Sequence, residues 1–206
     1  MEGEILKALK ELRKDKRKFN QTVDLIINLK NFDTKRESLN LFISLPHKVK
    51  DAKIAGFLND KSNVIDTITK ADFSRYKGKA IKKLIKDYDF FIAHALLMPS
   101  IATEFGKYLG PVGKMPSPQL GIIDKESEEE IKKVVSKAEK AVKVKTKEPS
   151  IKLAVGKQEM KDEEIAENIL FVYNTVLKAL PRKKENVKSV MIKFTMSKPV
   201  KLEKND

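Results

Sequence analysis

The chain has 206 residues, with 43 Lys or Arg against 29 Asp or Glu, a formal net charge of +14. At 41% hydrophobic residues it is too apolar to be wholly disordered, yet it has no run of about 18 apolar residues to make a transmembrane helix. It has no cysteine, which excludes disulfides, thiolate metal sites and cysteine nucleophiles, and with only His47 and His94 neither a metal cage nor a cofactor is expected.

The acidic start, Met1-Glu2-Gly3-Glu4, lacks an apolar signal core, so export is not expected. Residues 4–17 read as a helix with Ile5, Ala8, Leu9 and Leu12 on one face, running into the basic stretch 13–18. From Thr22 to Leu29 the chain alternates, Val23, Leu25, Ile27 and Leu29 pointing one way and Thr22, Asp24, Ile26 and Asn28 the other, the mark of a half-buried strand. A second strand runs from Leu39 to Leu45 and stops at Pro46. Short apolar runs at Lys53–Leu58 and Asp89–Ala93 read as buried strands, with basic helical material at Lys79–Lys86 and a helix at Pro99–Tyr108. That alternation predicts a small α/β unit with a largely parallel sheet. Leu109–Pro118, with three prolines and two glycines, reads as a loop, and residues 126–141 as a helix with an acidic first turn. Ser150–Val155 reads as a strand ended by Gly156, and Asp162 as the cap of a helix reaching Leu180. Pro181 stops that helix, and Arg182-Lys183-Lys184 makes a basic turn. A last strand sets Val190, Ile192, Phe194 and Met196 against Met191, Lys193 and Thr195, and a loose tail follows from Lys201. There is no internal repeat.

A chain this basic attracts polyanions, of which nucleic acid is the commonest. Only five of its positive residues are arginine, which favours phosphate contact and shape readout over forked base recognition. Cut near 50 and 147, the three segments carry +5, +5 and +4, so charge alone does not mark one of them as the binder.

Catalytic readings fail on spacing. In Leu109-Gly110-Pro111-Val112-Gly113-Lys114-Met115-Pro116 the glycines and the residue after Lys114 do not fit a Walker loop. His47 and His94 have no serine or carboxylate at motif spacing and read as structural. Glu128, Glu129 and Glu130 spread around a helix and suit its dipole, not a metal. Two polar strand faces remain: Asn20, Thr22, Asp24 and Asn28 on the first strand, and Ser189, Met191, Lys193 and Thr195 on the last. Such faces either meet water or line a surface for RNA 2′-hydroxyls, and the pattern leaves both readings open.

Four stretches, in order along the chain, carry a resemblance: Lys18-Phe19-Asn20-Gln21-Thr22-Val23, Leu45-Pro46-His47, Leu109 to Pro116, and Ser189 to Met196. Together they resemble the family of the universal stalk protein of the large ribosomal subunit, in its archaeal and eukaryotic branch. The resemblance implies a mixed α/β and α+β fold in two domains. One is a discontinuous α+β domain built from both termini, residues 1–50 plus 147–206; the other is an inserted Rossmann-like α/β domain, residues 51–146. It further implies a cytoplasmic, non-enzymatic protein of the large ribosomal subunit, monomeric when free and without a membrane partner. Its partner would be large-subunit rRNA at the mobile stalk, beside the exit-site tRNA, and its own messenger RNA would be a second target for repression. The alternative is a non-selective nucleic-acid or chromatin binder.

Matched residue by residue, the RNA surface implied is Lys18, Phe19, Thr22, Ser189, Thr195 and Met196, with Gly156 and Lys157 a weaker match. Lys193 shares the strand face, and Ser197 stands where the family usually has glycine. Simple alternation puts Phe19 with Val23 on the core face, so RNA contact from Phe19 requires a bulge or a later strand start. Val112 and Lys198 also depart from the family pattern.

Overall fold

The computed structural model describes residues 1–14, 17–34, 37, 39–146 and 148–202. Asp15 and Lys16 of the basic stretch, and residues 203–206 of the expected tail, lie outside them. In chain order the elements are α1 (Glu2–Leu12), β1 (Thr22–Leu29), β2 (Asn40–Ser44), β3 (Ile54–Phe57), β4 (Asp66–Ile68), α2 (Lys79–Asp87), β5 (Phe90–His94), α3 (Met98–Val112), β6 (Ile122–Ile123), α4 (Glu128–Lys140), β7 (Ala141–Lys145), β8 (Ser150–Lys157), α5 (Asp162–Ala179), β9 (Val187–Phe194) and β10 (Val200–Leu202). They fall into two compact units, Met1–Lys50 with Lys140–Asp206, and Asp51–Glu139.

In the first unit four antiparallel strands lie in the order β10-β9-β1-β8. Val23, Leu25 and Ile27 of β1, with Ile192 and Phe194 of β9, are buried in one core with Ile5 and Leu9 of α1 and Ile165, Ile169 and Val172 of α5. The intervening residues form the opposite, half-exposed face. Cross-strand pairing sets rows on that face: Lys193 beside Asp24 beside Ala154, and Ser189 beside Asn28 beside Ser150.

The second unit is a parallel sheet in the order β4-β3-β5-β6. Its central strands β3 and β5 are buried on both faces, as covered parallel strands must be, while the edge strand β4 exposes Asp66. Phe57 and Phe91 pack with Ile81 of α2 and Phe105 of α3. Ile54, Leu58 and Ile92 pack with Ile131 of α4.

Several boundaries move from those expected. Helix α1 ends at Leu12, not 17, and the Arg13 side chain leaves it for the β8–α5 turn. The expected loop at Leu109 is still helix: α3 continues to Val112, and Gly113, at φ +76°, turns the chain out. That left-handed backbone is the reason for glycine there. Strand β8 extends through Gly156 to Lys157. Asp162 does not cap α5; Lys161 holds the cap position, and the Asp162 carboxylate takes Arg13 instead. Lys201 and Leu202 are not tail but the end of β10, paired with Met191 and Val190. The return to the first unit falls at Lys140, ahead of the expected 147, because β7 pairs with β2.

Candidate nucleic-acid interface

Strand β1 begins only at Thr22, so strict alternation does not extend back to Phe19, which is 53% exposed. Between them Gln21 is buried, 1% exposed. Its Oε1 accepts the Met196 N–H at 3.2 Å, and its backbone carbonyl accepts the Gln158 N–H at 2.8 Å. The Gln158 Oε1 in turn faces the Gln21 backbone N–H and Nε2 at 3.4 and 3.5 Å. One buried amide thereby links the start of β1, the β8–α5 turn and the turn after β9. Arg13 holds the second of these from outside. Its Nη1 and Nη2 donate to the carbonyls of Gln158 and Met160 at 2.7 and 2.8 Å, and its Nε to Asp162 Oδ1 at 2.7 Å.

Strand β9 stops at Phe194, so Thr195 and Met196 lie in a turn and not on the strand. The Thr195 N–H donates to the Thr22 carbonyl at 3.1 Å, and its Oγ1 accepts the Thr22 N–H at 3.1 Å. The hydroxyl proton has only a long contact, 3.4 Å, to the Thr22 carbonyl, which leaves it available to an outside acceptor. Met196 does not alternate toward the core; the turn leaves it 63% exposed. Ser197 closes the turn: its Oγ accepts the Phe194 N–H at 2.9 Å and its N–H returns to the Phe194 carbonyl at 3.1 Å.

Of the residues expected at an RNA surface, one end of the sheet therefore gathers Thr22, Lys157, Thr195, Met196 and Ser197, with Lys18 and Phe19 just ahead of β1. Gly156 does not join the exposed cluster. It is buried, and a Cβ there would lie 2.9 Å from Cγ1 of Ile165 on α5, so packing accounts for the glycine. Ser189 lies six residues from Thr195, about 20 Å along the strand direction. There Asn28 Nδ2 donates to Ser189 Oγ at 3.0 Å, and Ser150 Oγ donates to Asn28 Oδ1 at 3.1 Å. The basic turn sits at this end, held by buried Asn186, which takes the Arg182 N–H and donates to the carbonyls of Lys30 and Asn31. Midway, burial pushes the Asp24 carboxyl above its ordinary value, and Lys193 pulls it partly back. The arrangement is a strip with hydroxyls and cations at both ends and the apolar row of Met191 beside Ile26 between them. It is suited to lying along a nucleic-acid backbone.

The other candidates are structural. His47 Nε2 meets Glu167 Oε2 at 2.7 Å, and its backbone is pinned by buried Asn168. His94 Nε2 is 3.0 Å from the Asp124 carbonyl and Nδ1 accepts the Leu96 N–H. Lys114 donates to the carbonyls of Ile85 and Tyr88 at 2.7 and 2.6 Å, a cation on a helix C-terminus rather than a phosphate ligand. Among the described residues no His, Asp and Glu cluster could hold a metal.

Gln21, Gln158 and Arg13 are the site residues that pattern reading passed over. The legible signal was a polar Gln21 at the parity of Val23 and Leu25: a polar group on a core face must find partners.

Residues 7–198 match the profile of the Ribosomal protein L1p/L10e family. The chain is 38% identical to the large ribosomal subunit protein uL1 of Pyrococcus abyssi, over 96% of this chain and 94% of that one. It is 36% identical to the uL1 proteins of Pyrobaculum calidifontis (96% and 92% covered) and of Methanothermococcus thermolithotrophicus (97% and 98%).

Proposed function

The chain belongs to the ribosomal protein L1p/L10e family, and from that premise we propose that it is a non-enzymatic structural protein of the large ribosomal subunit that binds large-subunit rRNA through the strip of its first unit. The observation that carries this reading is the end cluster. Thr195, tied to Thr22 by two backbone-directed bonds, holds an available hydroxyl proton beside exposed Met196 and Phe19. An O–H donor flanked by apolar side chains fits a 2′-hydroxyl or phosphate oxygen with stacked or packed nucleotides. Lys18, Lys157, Lys193 and the basic turn supply charge along the same strip, and shape rather than arginine forks sets selectivity. Its place is the mobile stalk beside the exit-site tRNA. The same strip takes a matching fold in its own messenger RNA, which represses translation.

The test is equilibrium binding of the full chain to a stalk fragment of large-subunit rRNA and to an unrelated hairpin, each across a salt series. The reading expects tight stalk binding that persists at moderate salt while hairpin binding fades. Equal affinity and equal salt slopes on both RNAs would instead identify a non-selective binder.

A further inference from the structure

Charge in the second unit is unevenly placed. Residues 70–86 hold seven basic side chains, all exposed, and one acidic one; the rest of Asp51–Glu139 holds eight basic against twelve acidic. Four of the seven lie on α2, whose Ile81 and Leu84 are buried while Lys79, Lys82, Lys83 and Lys86 face solvent.

This helix breaks rules that α1, α4 and α5 obey. Helices α4 and α5 begin with three acidic residues each, and in α4 Glu128 meets Lys132 one turn on at 3.9 Å. Helix α2 has no acidic residue in its first turn, and a lysine opens it against the helix dipole. Its four lysines make four like-charge pairs at spacings of three and four, each unfavourable in isolation. Among the described residues none of the four is ion-paired. Only Lys86, in the last turn, suits the dipole, and a local conflict so little offset marks a place kept for function.

We propose that this face of α2 is a second RNA contact, which binds the phosphate backbone without reading sequence. The lysines span about 10 Å of helix axis, and a duplex carries a charge every ~1.7 Å, so several phosphates fall within reach. The exposed residues of α2 are Lys79, Ala80, Lys82, Lys83, Lys86 and Asp87. They include no large apolar or aromatic anchor, which argues against a protein partner, whose interface needs a desolvated centre. The proposal rests on membership of a ribosomal family, not on the strip of the first unit.

The test uses the full chain with Lys79, Lys82, Lys83 and Lys86 all changed to Gln. A control carries the same change at Lys125, Lys132, Lys133 and Lys137, which removes equal charge from the same unit. The probe is an arbitrary-sequence RNA duplex of about 20 base pairs, titrated from low to moderate salt, so stalk recognition is not measured. The α2 variant should lose at least about tenfold in affinity, with a salt slope lower by about three units, while the control changes its slope by less than about one. Its thermal midpoint should equal or exceed that of the unaltered chain, because like-charge repulsion is relieved. Equal losses in both variants, or no loss in either, would overturn the proposal. So would a variant that keeps RNA binding and loses poly-glutamate binding, which would point to an acidic protein partner.

Discussion

Gln21→Leu keeps a buried, similarly sized side chain and removes both amide atoms. Two consequences follow from the geometry. The Met196 N–H loses its 3.2 Å acceptor, and Gln158 Oε1 loses the Nε2 facing it. The backbone bond from Gln158 to the Gln21 carbonyl survives, so the β8–α5 turn stays attached. A buried donor left without a partner costs about 1–3 kcal/mol; the Met196 N–H is only partly buried, which makes this an upper bound, and the turn carrying Thr195 and Met196 can recover more of it by opening to water. An opened turn displaces the proposed RNA contacts. The expected outcome is a lowered unfolding free energy together with a loss in stalk-RNA affinity of roughly 5- to 150-fold. The decisive assay is a double-mutant cycle with Met196→Ala, read in binding. If Gln21 acts by placing the turn, its effect shrinks once the Met196 side chain is gone. Losses that add to within about 0.5 kcal/mol, or a destabilised protein with unchanged affinity, would refute the reasoning.

Thr195→Val keeps shape but removes the outward donor together with the acceptor of the Thr22 N–H; stalk-RNA affinity of the folded variant should fall by about 5- to 150-fold with the salt slope unchanged, and an equal loss on a random hairpin would show an ordinary solvated turn. Asp24→Asn should raise the thermal midpoint at neutral pH. Burial holds the Asp24 pKa above its ordinary 3.8, so the stability it contributes is complete below 3.8 and is lost as pH rises through the folded value. The Asn variant's advantage should therefore vanish below that pH, and a variant less stable at pH 7 would contradict the sign. Gly156→Ala should cost about 1–3 kcal/mol in unfolding experiments, because its Cβ meets Ile165, while RNA affinity of the folded protein stays the same.

Most of the long elements were legible because their periodicity is strong: Thr22–Leu29 alternates with Ile26 its one exception, and α5 repeats Ile165, Ile169, Val172 and Val176. The two- and three-residue strands β4 and β6 carry no period to read, and β7 is identified by its pairing with β2 rather than by its own pattern. Pro111 and Gly113 pointed to a loop at the end of α3, but a proline in a last turn and a glycine after it are compatible with helix. At the candidate site, residue types showed which groups face out: Thr22, Ser189 and Lys193 follow from alternation. They did not show how the turns are held. Arg13 contacts residues more than 140 positions away, and Gln21 reaches Met196 across 175, so no local pattern encodes either. Strand parity places Met196 on the core face, and parity fails there because β9 ends two residues earlier.

The central claim is that rRNA lies along the strip of the first unit. It is tested most directly by assembling the full chain onto large ribosomal subunits that lack it, cross-linking with ultraviolet light and sequencing the RNA-bearing peptides. The account predicts cross-links within residues 17–22, 157–158 and 189–198, whatever else is found. Cross-linked peptides from which all three of these segments are absent would contradict it.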